Sequence, residues 1–527
     1  MSASDKKKLR AAERAEKLTE KQLAEQKEAK KLKTMTVVFV AVLALMLVFA
    51  VYTGITKTIE GKGIRENKTV AVTVGDHEIS NAELNYYFID SVNNFINNYG
   101  SYISLFGLDT TKPLNEQVYD EESGITWADD FLNSAIESVK AVYTLNDAAA
   151  AAGFSLTEED QKNIDAIMEN TEAYALYYYG YPSVEDYLKA VYGRGASEAG
   201  YRSYCEMTYT ADAFQNHYAN SLVYEEADLR EAEAANYNAY SSYSFNYYYL
   251  ATSKFDNAAA AEEAAKSLVA AEIDSVEAFD AAIAALSINA ETTAASTASD
   301  NVLYNSINTN YADWITNANR KSGDMTYVAS TSTSTDENGN ETTTTNGYYV
   351  VMFRGSNDNN FSLVNVRHIL AAFEGGTADP STGMTTYSDD EKAAAKAEAE
   401  ALLEQWKNGD KTEESFAVLA NENSDDGDGT TGGLYENVYP GQMVATFNDW
   451  CFDGSRKVGD TDIVETNYGY HVMYFSGNSN VTYRDFMIKN DLTSADVSAW
   501  YTGLMEGATS ELGQTDYIPM DLVLSTN

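Results

Sequence analysis

Cysteine, histidine and positive charge are all scarce in this chain, and each scarcity closes off a class of chemistry. Cys205 and Cys451 are the only cysteines in 527 residues, and nothing in their spacing suggests a metal site. Cys451 lies in the apolar run Trp450-Cys451-Phe452, which favours a small core residue over half of a disulfide. The four histidines, His77, His217, His368 and His471, are too scattered to make a zinc pattern with the cysteines. No phosphate-cradling glycine loop opens a helix. The segment Ser424-Asp425-Asp426-Gly427-Asp428-Gly429 has a faint calcium-loop rhythm. Its first ligand is Ser, however, and its twelfth position is Tyr435, so two required carboxylates are missing. No metal and no cofactor is expected.

Lysine and arginine number 36 against 80 Asp and Glu, a formal charge of −44. The imbalance is uneven: residues 1–33 carry 11 basic and 6 acidic side chains, leaving 25 against 74 for the rest. An anionic body without a basic stripe interleaved with aromatics repels nucleic acid and anionic lipid surfaces alike. Nucleic-acid binding is excluded on that ground.

The length is enough for about three domains. Residues 34–55, TMTVVFVAVLALMLVFAVYTGI, carry no charge and are long enough to cross a hydrocarbon layer of roughly 30 Å as one helix. A cleaved signal would have a shorter apolar core and a small-residue cleavage site. Lys27, Lys30, Lys31 and Lys33 crowd the entry side of this run, so the positive-inside rule keeps residues 1–33 in the cytoplasm and sends everything after Thr56 outside. No cysteine follows the run to take a lipid. Residues 68–240 have helical periodicity, with caps at Ser80-Asn81-Ala82-Glu83, Thr157-Glu158-Glu159-Asp160 and Ser183-Val184-Glu185-Asp186. Many aromatics punctuate them, among them Tyr86, Tyr87, Phe88, Tyr177, Tyr178 and Tyr179, as core packing or as a groove for unfolded chains. A further cap, Thr493-Ser494-Ala495-Asp496, predicts a helix with Val497, Trp500, Tyr501 and Leu504 on one face.

From Val364 to Gly477 two histidines sit in matched strand-like runs, Val366-Arg367-His368-Ile369-Leu370 and Tyr468-Gly469-Tyr470-His471-Val472. Between them come a capping box at Ser388-Asp389-Asp390-Glu391 opening an Ala-rich helix that ends at Asn408-Gly409, then a helix with Phe416, Leu419 and Ala420 inward. A Gly/Asp loop from Ser424 to Gly433 and Gly441-Gln442-Met443 leading to Phe447 complete the order. This order resembles the parvulin family of peptidyl-prolyl isomerases. The strand Val70 to Val74 with Gly75-Asp76, Ile79-Ser80 and Glu83 looks like the N-terminal chaperone domain of SurA- and PrsA-type foldases. In that group the C-terminal segment returns to the helical lobe. The resemblance implies isomerisation of X-Pro bonds, whose barrier of about 18–20 kcal/mol makes them slow enough to limit folding. Matched position by position, it puts the proline seat on Leu434, Met443 and Phe447. The paired imidazoles fall on His368 and His471, the acidic or thiol position on Asp426, and the position of a small hydroxyl residue on Tyr468. One departure stands out: the family continues Gly-Gly with Asp-Leu-Gly, whereas Gly432-Gly433-Leu434 is followed here by Tyr435-Glu436, which narrows the pocket.

The chain also repeats itself. Asp313-Trp314 through Val328 aligns without gaps on Asp449-Trp450 through Val464, with seven of sixteen positions identical. Gly347-Tyr348-Tyr349-Val350 matches Gly469-Tyr470-His471-Val472, and Asn246 to Leu250 matches Asn365 to Ile369. A degenerate unit is therefore expected, with Tyr249 and Tyr349 at the histidine positions, no glycine loop, and a Ser/Thr hairpin around Asn338-Gly339.

The reading is an α+β protein with one N-terminal transmembrane helix. The expected parts are a cytoplasmic segment 1–33, a span 34–55, a helical chaperone lobe 68–240, a degenerate parvulin-like unit 241–357, a parvulin unit 361–477, and a C-terminal segment 478–527 returning to the lobe. Each parvulin-like unit is an antiparallel sheet with surrounding helices. The expected function is a membrane-anchored extracytoplasmic foldase of a bacterial cell, whose partners are unfolded or newly exported polypeptides with X-Pro bonds. The alternatives are an inactive holdase or a surface interaction protein built on the same scaffolds.

Overall fold

The computed structural model describes residues 63–524 except 272, 287–294, 336–338, 379–383 and 428. The segment 1–33, the expected span 34–55 and the turn residue Asn338 lie outside them. Among the described residues no helix is long and apolar enough to cross a membrane. Helices and antiparallel sheets make the fold α+β. The chain forms two compact units, one from Tyr224–Gly376 and Met384–Leu492, the other chiefly from 63–223 and 493–524.

After a short helical turn at Ile64–Lys68, the helical unit forms a hairpin of β1 (Val70–Val74) and β2 (His77–Ser80). The Ser80 hydroxyl accepts the Glu83 N–H at 3.2 Å and starts α1 (Asn81–Tyr99). With α2 (Trp127–Ala151) and α3 (Glu198–Ser221) this helix encloses a core containing Leu84, Phe88, Phe131, Val139 and Phe214. Tyr86 and Tyr87 belong to that core, whereas Tyr177 is 88% exposed. Of the two histidines outside the paired strands, His77 lies 3.0 Å from Asp147 and His217 packs on the rings of Phe154 and Phe214. Leu512 pairs with Val72 of β1 in an antiparallel bridge, and Trp500 stacks on Tyr218 with centroids 4.2 Å apart.

The other unit holds two four-stranded antiparallel sheets of identical connectivity. In the first, β3 (Ser242–Ala251), β4 (Thr297–Leu303), β5 (Met325–Thr335) and β6 (Glu341–Asn357) lie in the order β4-β3-β6-β5. In the second, β7 (Ser362–Ala372), β8 (Leu434–Val438), β9 (Thr461–Glu465) and β10 (Gly469–Thr482) lie in the order β8-β7-β10-β9. Helices α4 (Ala258–Ala270) and α5 (Val276–Ala285) follow β3, as α6 (Asp389–Lys407) and α7 (Glu413–Asn423) follow β7. Because side chains alternate along a strand, the second sheet has two buried faces. Ile369, Ala371, Val472 and Tyr474 pack on Leu402, Trp406, Phe416 and Leu419 of α6 and α7. Val364, Val366, Met473 and Phe475 pack on Phe447, Trp450 and Cys451 of the short helix α8 (Ala445–Cys451). Both cysteines are buried and free.

The repeat extends to individual contacts. Arg320 lies over the Trp314 ring at 4.1 Å and donates to its carbonyl oxygen, and Arg456 lies over Trp450 at 4.3 Å and does the same. The N–H of Phe353 donates to Asp324 O and that of Phe475 to Asp460 O, each at 2.9 Å. The register corrects one sequence match. His368 faces Met473 across the sheet, and the residue facing the equivalent Val351 is Tyr247, so Tyr247 rather than Tyr249 stands at the His368 position. A slip of two residues keeps every side chain on its face, which is why gapless matching does not detect it.

A second correction concerns the last helix. Thr493 does not cap it: α9 runs without interruption over Tyr483–Gly507, directly after β10. The Thr482 hydroxyl accepts the Asp485 N–H at 3.0 Å at the true start, and no Gly or Pro lies between there and Thr493 to break the helix. Near that start Arg484, 1% exposed, is saturated by Glu233, Ser241 and the carbonyls of Tyr237, Tyr240 and Asp358. Removing one partner of such a pair strands the other charge and several carbonyls. Arg484→Ala is therefore expected to cost about 3–5 kcal/mol in denaturant unfolding, with part recovered in the double variant with Glu233→Ala. Additive losses in the double variant would contradict the pairing.

Candidate functional site

The site is built where β7, β10 and the loop after α7 converge. That loop is stitched to β7: the Ser424 hydroxyl accepts the N–H groups of Leu370 and Asp426 at 3.1 and 3.2 Å, and Asp425 N–H donates to Leu370 O at 2.9 Å. Its far end depends on Gly433. At φ +65 a Cβ on this residue would lie 2.1 Å from the His368 carbonyl oxygen, so only glycine lets Gly433 O accept the His368 N–H at 2.9 Å. These bonds set Asp426 against His368.

Four polar side chains then form one line. His368 Nε2 lies 3.2 Å from Asp426 Oδ2, His368 Nδ1 lies 3.1 Å from His471 Nδ1, and His471 Nε2 lies 2.9 Å from Thr466 Oγ1. The carboxylate accepts only, so His368 donates to it from Nε2. With a neutral His368 accepting at Nδ1, His471 carries its proton on Nδ1 and its Nε2 accepts the Thr466 hydroxyl, which also lies 3.4 Å from Gly469 O. Burial holds His471 down to about 4, with the neighbouring His368 adding to the depression. The hydrogen bond from His368, then that from the Tyr435 hydroxyl, holds the Asp426 carboxyl well below the usual carboxylate range despite partial burial. Burial and Asp426 push Tyr435 up to about 12.

An aromatic floor lies beside the line. Phe447 stands edge-on to His368 at 5.5 Å and to His471 at 5.3 Å, and Met443 and Tyr435 pack against the same cluster. Of the seven site residues expected from sequence, His368, His471, Asp426, Met443 and Phe447 come together. Leu434 does not: it pairs with Arg367, whose side chain is on the opposite face from that of His368, whereas Tyr435 pairs with Val366 on the histidine face. Tyr468 does not contribute its hydroxyl either, since its side chain is 65% exposed and only its backbone N–H reaches Thr466 Oγ1, at 3.1 Å. The hydroxyl that meets the pair is that of Thr466, two residues earlier. Its signal was a Thr five residues before the histidine, just outside the strand.

Such a sheet, with helices on one face and a hydrogen-bonded histidine pair on the other, is the arrangement that the resemblance to parvulins implies. Residues 348–478 match the family described as the PPIC-type PPIASE domain. The chain carries a parvulin-type domain and is similar to PrsA-type foldases. A curated relative, foldase protein PrsA 1 of Listeria innocua, is 29% identical over 151 residues, covering 27% of this chain and 48% of the relative. The chain thus spans about half the length of that relative. Two solved structures are similar in part. Peptidylprolyl isomerase PrsA of Bacillus anthracis shares 18% identity with a TM-score of 0.18, over 28% of this chain and 59% of that one. PrsA of Bacillus subtilis shares 14% with a TM-score of 0.29, over 77% and 98%.

The depressed imidazole makes stability depend on pH. The unfolded chain takes up the His471 proton near 6.5 and the folded chain only near 4. Its contribution is therefore complete above pH 6.5 and is lost as pH falls toward 4, on the order of 3 kcal/mol in all. Asp426, also depressed, contributes above its ordinary value of 3.8 and is lost only in stronger acid. Denaturant unfolding at pH 7 and pH 5 should show a smaller drop for His471→Asn than for the parent, and parallel drops would assign the window to another group.

Proposed function

We propose that the protein is a membrane-anchored extracytoplasmic foldase that isomerises X-Pro bonds in exported polypeptides and holds those chains while they are unfolded. The observation that carries this reading is the His368–His471 pair at 3.1 Å, joined to Asp426 and set over Phe447, within the segment that matches a PPIase domain. Rotation about X-Pro breaks no covalent bond, so no nucleophile is required. What is needed is an apolar seat for the ring and a polar surround that favours the twisted amide over the planar one. Met443 and Phe447 supply the seat, Asp426 supplies charge beside the rotating amide, and the histidines with Thr466 hold Asp426 in place. The similarity to PrsA-type foldases and the charge-free run 34–55 support an anchor with 1–33 in the cytoplasm and the body outside. The proposed parts are the lobe 68–240, a non-catalytic unit 241–357 whose site positions are filled by tyrosines, the catalytic unit 361–477, and the segment 478–527.

One observation favours a second reading, a holdase without isomerase activity. Phe447 is only 2% exposed, so its ring is covered as the chain stands.

The two readings separate in a proline-peptide isomerisation assay on the full-length protein in detergent. Phe447→Ala removes apolar contact and alignment, and Asp426→Ala removes charge where the amide twists. Each should lower the specificity constant about tenfold or more, or about 1.4 kcal/mol of transition-state stabilisation, with peptide binding nearly kept for Asp426→Ala. Parent-like rates in both variants would leave the holdase. Orientation is tested separately: protease added outside intact cells should remove the body after Thr56 and spare 1–33, and protection of the body would reverse the topology.

A further inference from the structure

A proline ring cannot rest on a residue that is 2% exposed, so what lies over Phe447 decides whether the site admits a substrate. The ring of Tyr435 stacks on His368 with centroids 4.8 Å apart and planes 25° apart, and it stands 6.4 Å from Phe447. Its hydroxyl donates to Asp426 Oδ2 at 2.7 Å. One side chain thus packs against the apolar seat and also occupies the carboxylate beside it. Tyr435 lies on β8, the edge strand of its sheet, and the register with β7 shifts immediately after it, between Tyr435 and Val438. The hydrogen bond is not enclosed on all sides, since the Asp426 side chain is 40% exposed and Tyr435 is itself only partly buried.

We propose that Tyr435 occupies the proline seat in the resting protein and is the residue that determines which peptides enter. The proposal rests on the isomerase reading for the identity of the ligand, an extended peptide containing proline. Rotation of Tyr435 about its side-chain bonds breaks the hydrogen bond to Asp426 and unstacks the ring from His368. Phe447, Met443 and the carboxylate are then uncovered together. A peptide must supply a ring that replaces the phenol over Phe447, so its affinity is lowered by the fraction of molecules that are open. Tyr435→Phe removes the hydrogen bond and keeps the ring. Tyr435→Leu removes both and leaves an apolar side chain in the seat.

The experiment compares parent, Tyr435→Phe and Tyr435→Leu as full-length proteins in detergent. Two quantities are read: the Kd for a fluorescent tetrapeptide with a central Ala-Pro bond, by anisotropy, and kcat and KM for its isomerisation. The expected result is tighter binding in the order parent, Phe, Leu, with Leu roughly tenfold or more below the parent in Kd. Any catalytic gain should fall in KM with kcat kept, a split that loosened packing does not produce. Binding by Tyr435→Leu that is no tighter than the parent's, including no binding by either, overturns the proposal. If that variant does not fold by circular dichroism, Tyr435→Phe decides, and an unchanged Kd overturns it. Tighter binding without isomerisation by any variant keeps the cover and removes the isomerase reading. Isomerisation by all three at one KM keeps the isomerase and removes the cover.

Discussion

A carboxylate has no proton to give, and that constraint orders the whole site. Asp426 accepts from His368 and from Tyr435, and with a neutral His368 the line of donors runs back from it through His471 to the Thr466 hydroxyl. The two imidazoles are 3% and 6% exposed. At that depth an unpaired nitrogen is costly, while a satisfied line is rigid. The loop geometry serves the same end. Gly433 lets the chain approach His368, and Ser424 ties the other end to β7, so the acceptor is held where the line needs it.

The two sheets separate what the fold requires from what the site requires. Both keep the arginine over the tryptophan ring and the same backbone bond beside Gly323 or Gly459, features that close the end of a sheet. Only the filling changes. At the positions of His368, Phe447 and His471 the first sheet places Tyr247, Tyr311 and Tyr349, whose rings lie 5.4 to 6.2 Å from one another. Burial pushes Tyr311 up to about 12. A cluster of rings fills the space chiefly by contact, with the Tyr349 hydroxyl accepting from Asn308 Nδ2 at 3.4 Å, and needs no ordered line of donors and acceptors. The architecture is therefore indifferent to whether the site is polar.

Much of this was legible in the amino-acid order because it rests on local rules. The capping box at Ser388, the inward Phe416, Leu419 and Ala420, and the alternation around His368 and His471 each follow from periods of 3.6 or 2. What was not legible is register. Tyr247 stands where the sequence match puts Tyr249, a slip of two that leaves the face unchanged, whereas Thr466 and Tyr468 lie in the turn between β9 and β10, where no alternation fixes which side chain turns inward. Leu434 for Tyr435 is a slip of one, which turns the side chain to the wrong face. The helix expected from Thr493 shows a different limit. A cap sequence marks an end only where the chain is free to end, and here α9 was already under way from Tyr483.

Tyr435 ties the two halves of the site together in opposite senses. Its ring covers one face of His368 and so helps keep water from the imidazole pair, and burial is the main cause of the depressed value at His471. The same ring packs in the cluster that leaves Phe447 2% exposed. Moving it outward uncovers the apolar seat and at once admits water to the pair, weakening the burial that keeps His471 neutral. The carboxylate counters this in part, because loss of the phenol leaves Asp426 with a stronger claim on the His368 proton and so keeps the order of the line. In the proposed opening, the position of one side chain bears on both access to Phe447 and neutrality at His471, and Asp426 is the group that feels both.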